Sequence, residues 1–403
     1  MAQVLGGVPI CSMLWFLFGY SVVFGPSLDG IIGNPATYAM FNDLFSGCVP
    51  NQHVPVSAYA MYQMMFATIT PLLITGAYSG RLSLGASLCF TALWEVLVYY
   101  PVAHWMWGGG WLGRMGAEDF AGGIVIHTTA GAASVVCALF LGKRAGFDDA
   151  RGHFAPSSLP LLAVGGGLLC TGWFGFTAGC VLTHDVGSRT AIAIVNTQLA
   201  AAGSAFVWML LTWRRKRPSV ADILNGAIAG LAGVTPCAGY VYPAAALAVG
   251  LLSGVAAFGA VEALRFRLRV DDALDVSAVH GVPGVVGSVA IAFVANARVG
   301  GQETGLAYGT HTFLSLLGVQ ALAIVVSGAY AAVVTYAVLA ALRRLGLLSG
   351  ASDDSDDEAD EYSAGYAEIP GRSSEHRFAQ RGGDAASRPT FWQRHPSTGI
   401  APV

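Results

Sequence analysis

Ten stretches of the chain are apolar for long enough to cross the ~30 Å hydrocarbon core of a bilayer. They begin near Ala2, Ser57, Ser83, Glu118, Pro160, Thr190, Ala221, Pro243, Ala273 and Thr312. They end near Gly25, Gly80, Trp107, Gly142, Leu182, Trp213, Tyr240, Leu264, Val294 and Leu342. In lipid every backbone polar group must be satisfied inside the protein, and spans rich in Gly and Ala suit helices that approach closely rather than a β-barrel. The pattern predicts an all-α polytopic membrane protein with ten transmembrane helices.

Composition agrees and divides the chain. Of 403 residues 54% are apolar and 11% charged, with a mean hydropathy of +0.58. A soluble domain carries about 25% charged residues. The charge is also unevenly spread, with 15 of the 45 charged residues lying after Leu345. Residues 1–345 are therefore read as the transmembrane domain, and 346–403 as an acidic, disordered, cytoplasmic tail. The tail contains the run Asp353, Asp354, Asp356, Asp357, Glu358, Asp360 and Glu361, the usual mark of a solvated segment, with Ser355 inside it as a candidate phosphorylation site. Seven cysteines, at 11, 48, 89, 137, 170, 180 and 237, are scattered through apolar runs with no CxxC, which fits neither a disulfide framework nor a metal knuckle.

The connections between spans set an orientation, because basic residues concentrate on the cytoplasmic side. One alternating set holds Arg81; Lys143, Arg144 and Arg151; Arg214, Arg215, Lys216 and Arg217; Arg265, Arg267 and Arg269; and Arg343 and Arg344. The other holds only Arg114, Arg189 and Arg298. The first set is expected in the cytoplasm, with both termini, while Pro26–Val56 and Trp107–Glu118 face outward.

Two spans share a spacing. Asp119 precedes His127 by eight residues, and Asp272 precedes His280 by eight. At 1.5 Å per helical residue that is ~12 Å, which sets each histidine deep in the bilayer. The spans are the fourth and ninth, so they enter from opposite sides. This is the pattern of an inverted-topology repeat with its site at the midplane. Spans five to nine make one five-helix unit and the tenth is an addition, so the first unit is one helix short, and an additional span before Met1 is expected.

Ionisable groups inside a membrane are functional candidates by default. A lone buried histidine is commonly a core residue, but two at matched positions are expected to line a shared lumen. Facing neutral imidazoles can pass hydrogen bonds or a proton. No carboxylate or thiolate stands at ligand spacing, so neither a metal nor another cofactor is expected. Phe66 and Phe176 lie in helices of small residues, and Trp107 ends the third span before Gly108-Gly-Gly110. A Trp there anchors the helix at the interface or offers a ring face to a cation. Asp119 and Asp272 read most simply as helix N-caps. Glu95 needs a partner inside its span, and Gln63, Asn196 and Asn225 read as interhelical hydrogen-bonding groups.

Taken together, Pro101-Val-Ala-His-Trp-Met-Trp-Gly-Gly-Gly110, Asp119-Phe-Ala-Gly-Gly123 with His127, Gly172-Trp-Phe-Gly-Phe176, Gly233-Val-Thr-Pro236 and Val270 to Gly281 resemble the ammonium transporter (Amt/Mep/Rh) family over nearly all of residues 1–345. The resemblance implies eleven spans, with two inverted five-helix units plus a last helix, and homotrimers with one pore per subunit. Residue 1 then resembles the start of the family's second span, and Trp107 points to Amt-type members. Trp107, Phe66, Tyr62, Asp119 and Cys180 would form the ammonium-recruitment site, with Phe66 and Phe176 as stacked gate rings. His127 and His280 would line the pore. Cys180 stands where the family usually has a serine that accepts a hydrogen bond from ammonium, and Thr177 where it has Asn.

The implied activity is ammonium transport across a plasma membrane, with methylammonium as an analogue, the bilayer as surroundings and no nucleic-acid partner. Ammonium is deprotonated and crosses as ammonia, a route closed to potassium. The alternatives are an ammonium sensor with weak conduction, or a truncated, non-functional family member. An unrelated inverted-repeat transporter would need broken helices that carry an ion site. An enzyme would need a nucleophile or metal constellation, and the sequence offers neither.

Overall fold

The computed structural model describes residues 1–49, 54–148, 154, 156–181, 186–301, 305–308 and 312–348. The acidic run, Ser355 and Arg151 lie outside the described residues. Ten helices follow the ten apolar stretches: α1 Ala2–Phe24, α2 Val56–Tyr78, α3 Leu84–Arg114, α4 Gly123–Leu141, α5 Leu159–Ala178, α6 Val186–Trp213, α7 Val220–Val234, α8 Pro243–Arg267, α9 Ser277–Val294 and α10 Phe313–Arg344. Among the described residues nine are long and apolar enough to span a bilayer; α7, at 15 residues, is shorter.

The shortening of α7 has a cause. The expected span to Tyr240 stops being helical at Val234, just before Pro236, which has no amide to donate. The chain continues in turns, and the carbonyl of Pro236 accepts from the Phe120 amide at 2.9 Å. The segment that donates this bond also differs from expectation. Residues 119–122 are unwound, Gly122 takes φ +111°, and α4 begins only at Gly123. The helical rise of ~12 Å from Asp119 to His127 therefore does not apply. Likewise α9 starts at Ser277, after Asp272.

Close helix approach, expected from the glycine content, occurs where α4 crosses α9. A Cβ on Gly131 would come within 2.4 Å of the Gly281 Cα. Ala200 of α6 is seated in the same way between Gly230 of α7 and Gly250 of α8. Polar side chains then tie helices together. Asn196 donates to the carbonyls of Ala238 and Val241, both at 2.8 Å. Gln320 of α10 donates to the carbonyls of Glu118 and Ser288 and accepts from the Glu118 amide. Gln63 instead donates to Tyr59, one turn back in its own helix. Glu95 finds its partner in Tyr100, whose hydroxyl donates to it at 3.0 Å.

The basic connections gather at one end of the bundle. There Asp271, buried between α8 and α9, accepts a two-pronged contact from Arg144 at 2.7–3.2 Å, takes the Arg144 amide, and lies 4.0 Å from Arg81. Burial pushes the Asp271 carboxyl up, but the Arg144 hydrogen bonds and the charges of Arg144 and Arg81 outweigh it and hold the group below its ordinary value. At the opposite end a hairpin, β1 Ser27–Leu28 with β2 Ile32–Gly33, turns through Asp29 and Gly30, both at positive φ. Its Gly30 and Ile31 carbonyls accept from the Trp111 amide and the Trp105 indole, bracing the glycine-rich end of α3.

Candidate functional site

The unwound segment before α4 exists because Asp119 replaces the missing helical partners. Its Oδ1 accepts from the amides of Gly122 and Gly123, and its Oδ2 from those of Ile124 and Val125, all at 2.7–3.0 Å. These are the orphan donors of a helix start, so a capping function is observed, though Asp119 stands three residues before the N-cap position. Asp272 does less: it accepts from the Ser277 amide and hydroxyl.

Fixed in this way, Asp119 borders a chamber of about 300 Å³ at the end of the bundle with few basic residues. Trp107, Phe66 and Cys180 border it too, as do Tyr59, Gln63, Tyr240 and Arg189. The Trp107 indole donates to the Asp119 carbonyl at 2.8 Å, which fixes the ring. Tyr62 is not part of this wall. Its hydroxyl donates to the Phe176 carbonyl and lies 3.2 Å from the Cys180 sulfur, while Tyr59, almost one turn earlier, faces the chamber. With the Tyr62 proton committed to Phe176, the Cys180 thiol is the donor in their contact, so only the weak lone pairs of sulfur remain to accept from a ligand.

Below the chamber an aromatic column begins. Phe66 lies 6.0 Å from Trp107 and 4.5 Å from Phe176, ring centre to ring centre. The two phenylalanines are tilted by 45° rather than stacked. Phe176 leads to His127 at 6.3 Å, and His127 to His280 at 5.3 Å. Both histidines are buried, each on a π-helical turn, and their Nδ1 atoms are 3.4 Å apart. One imidazole must donate through Nδ1 and the other accept, so the pair holds opposite tautomers. Trp173 covers both rings, nearly parallel at 18° and 20°, and its indole donates to Thr235. Thr177 bonds Thr197 and lies to the side of the column. Further along α4 a second cavity, about 340 Å³, is lined by Thr128, Gly131, Ser277, Gly281 and Val285.

The structure therefore brings Trp107, Phe66, Phe176, His127, His280, Asp119 and Cys180 into one contiguous group of chamber wall and ring contacts. Trp173, Tyr59, Tyr240 and Arg189 were not singled out for it by sequence. Only Trp173 left a signal, as part of the Gly172-Trp-Phe motif. Among the described residues no group of His, Cys, Asp and Glu is arranged to hold a metal ion.

Comparisons with known proteins point the same way. A family model described as the Ammonium Transporter Family matches residues 1–367. Ammonium transporter 1 of Dictyostelium discoideum is 43% identical over 342 residues, 84% of this chain and 73% of that protein. Ammonium transporter Amt1 of Archaeoglobus fulgidus is 41% identical over 326 residues, 81% of this chain and 79% of that one. Among solved structures, Mep2 of Saccharomyces cerevisiae aligns with a TM-score of 0.79 at 31% identity, covering 86% and 80% of the two chains. A protein titled Sensor Amt Protein aligns at 0.76 and 28%, covering 87% and 86%. With the matched family model spanning most of its length, this chain belongs to the ammonium transporter family.

Proposed function

We propose that the chain carries ammonium across a plasma membrane as a homotrimer, with both its termini in the cytoplasm and residues 346–403 as a cytoplasmic tail. The chamber is then the outer recruitment site. Ammonium is held there by the ring faces of Trp107 and Phe66, each worth roughly 0.5–2 kcal/mol toward a cation. The Asp119 carboxylate adds negative potential, and Cys180 offers a weak acceptor. None of these rejects potassium strongly. Rejection comes from the column beneath, where Phe66 and Phe176 leave no room for a hydrated ion and an intact cation would lose its water in an apolar bundle.

Ammonium can escape that cost by chemistry. One N–H bond breaks, the electron pair stays on nitrogen, the proton passes to water in the outward-facing chamber, and neutral ammonia moves past the gate. At the histidines ammonia can both donate and accept. The Nε2 of His127 is buried without a hydrogen bond to the described protein, which suits contact with a passing molecule. The charge moved per molecule taken up reports whether the proton travels with it.

The unbroken run of ring contacts from Trp107 to His280 is the observation that supports this reading most. His127→Ala should abolish methylammonium uptake in a yeast lacking its own transporters while the protein still reaches the membrane. Unchanged uptake would remove the histidines from the mechanism. A second reading, a sensor that binds ammonium but conducts weakly, is favoured by the likeness to the protein titled Sensor Amt Protein and by Cys180. It predicts saturable ammonium binding to purified protein with uptake near background.

A further inference from the structure

We propose that Arg189 sets how tightly the outer chamber holds any monovalent cation, acting as a fixed positive charge in its wall. The inference rests on the recruitment reading given above. Arg189 is at the start of α6 and lines the same cavity as Asp119, Trp107 and Cys180. Its guanidinium is held in place from three sides. Nη2 donates to the Gly300 carbonyl at 2.5 Å, Nε donates to the Gly239 carbonyl at 3.3 Å, and the Tyr240 ring centre lies 5.8 Å away. Gly300 has φ +137°, and a Cβ there would come within 2.1 Å of the guanidinium carbon. That φ favours glycine, so the carbonyl that accepts from the guanidinium is presented by a turn built on Gly300.

An arginine is charged at every working pH, and its planar head cannot shed a proton to relieve repulsion. A chamber holding the Asp119 carboxylate without this counter-charge would collect potassium and ammonium alike. Arg189 offsets that pull for both ions equally, because Coulomb repulsion does not distinguish them. It therefore leaves the selectivity ratio to the rings and hydrogen bonds, and keeps occupancy by the more abundant ion low. Arg189 contacts no reacting atom in this account; it acts on the ion through its field.

Labelled methylammonium uptake in yeast lacking its own ammonium transporters, with potassium as competitor, reads both affinities. Arg189→Gln should lower the methylammonium KM and the potassium inhibition constant together, each by about fivefold, the effect of a unit charge roughly 8 Å from the ion at an effective dielectric near 40. Arg189→Lys, which keeps the charge and loses the planar fork, should hold both constants within about twofold of the wild type. If Arg189→Gln does not accumulate, Arg189→Met takes its place with the same expectation. Constants that stay put when the charge is removed, or that shift equally in the lysine variant, overturn the inference, since a purely structural clamp would fail in both. Trp107→Leu, run in parallel, tests the chamber by itself. A KM unmoved by Trp107→Leu overturns the recruitment reading, whereas one that moves with Trp107→Leu but not with loss of the Arg189 charge overturns this inference alone.

Discussion

Cys180 shows how much one atom can matter in the wall of the chamber. Its one thiol proton has the Tyr62 oxygen at 3.2 Å and the Phe176 carbonyl at 3.6 Å within reach, and its sulfur accepts poorly from anything in the chamber. A serine oxygen could keep the donated bond and accept from ammonium more strongly than sulfur does, a gain of about 1 kcal/mol. Cys180→Ser should therefore lower the KM for methylammonium about fivefold, with the maximal rate little changed. A KM equal to or above the wild type in uptake assays would show that the sulfur does not meet the substrate. At this scale the sequence was informative where a motif singles out a residue: Trp107, Phe176, His127 and His280 all belong to the run of ring contacts. It was less informative where a side chain's direction depends on rotation about a helix axis. An almost uniformly apolar helix such as α2 has little amphipathic bias to set that rotation, so Tyr59, not Tyr62, faces the chamber. Arg189 reaches it from the start of α6 and Tyr240 from the connection after α7, and no spacing predicts that meeting.

Helices α4 and α9 carry the two histidines, and their backbones touch at Gly131 and Gly281. Gly281 follows His280 directly, so separation of the helices there moves the histidine. Gly281→Val must force the crossing apart, at the 1–3 kcal/mol typical of overpacking. The expected outcome is a folded protein with a lower melting temperature and no methylammonium uptake. Wild-type uptake in that variant would mean that the crossing tolerates what the geometry forbids. The matched Asp-to-His spacing located both helices in the sequence but overstated their regularity. Hydropathy records how apolar a segment is, not whether its backbone is wound, so the unwound 119–122 segment and the early end of α7 left no trace in it. Both became visible only through their bonding partners, the Asp119 carboxylate and the Pro236 carbonyl.

Across the whole molecule the few charges do the organising. They mark the connections in sequence, and in the structure they join them, with Asp271 binding Arg144 and approaching Arg81 across three connections. The Asp271 carboxyl is held below its ordinary value, so its contribution to stability is complete above the unfolded value of about 4 and fades as pH falls through the lower folded value. Purified protein should lose melting temperature below about pH 4 for this reason. Asp271→Asn should cost about 1–3 kcal/mol at pH 7 by leaving Arg81 and the half-buried Arg144 without their partner, and should show a shallower acid decline. An equal acid decline in the variant would assign it to other groups. The fold class and the ten apolar stretches were legible because lipid imposes one solution on backbone hydrogen bonding; the joining of the connections was not, because ion pairs follow three-dimensional proximity. The central claim concerns what passes through. Proteoliposomes of the purified chain, loaded from outside with labelled methylammonium and labelled rubidium together, test it most directly. The account predicts methylammonium entry above that of protein-free vesicles, no rubidium entry, and loss of the methylammonium signal in His127→Ala. Rubidium entering beside methylammonium, or methylammonium entry no faster than through lipid alone, would contradict it.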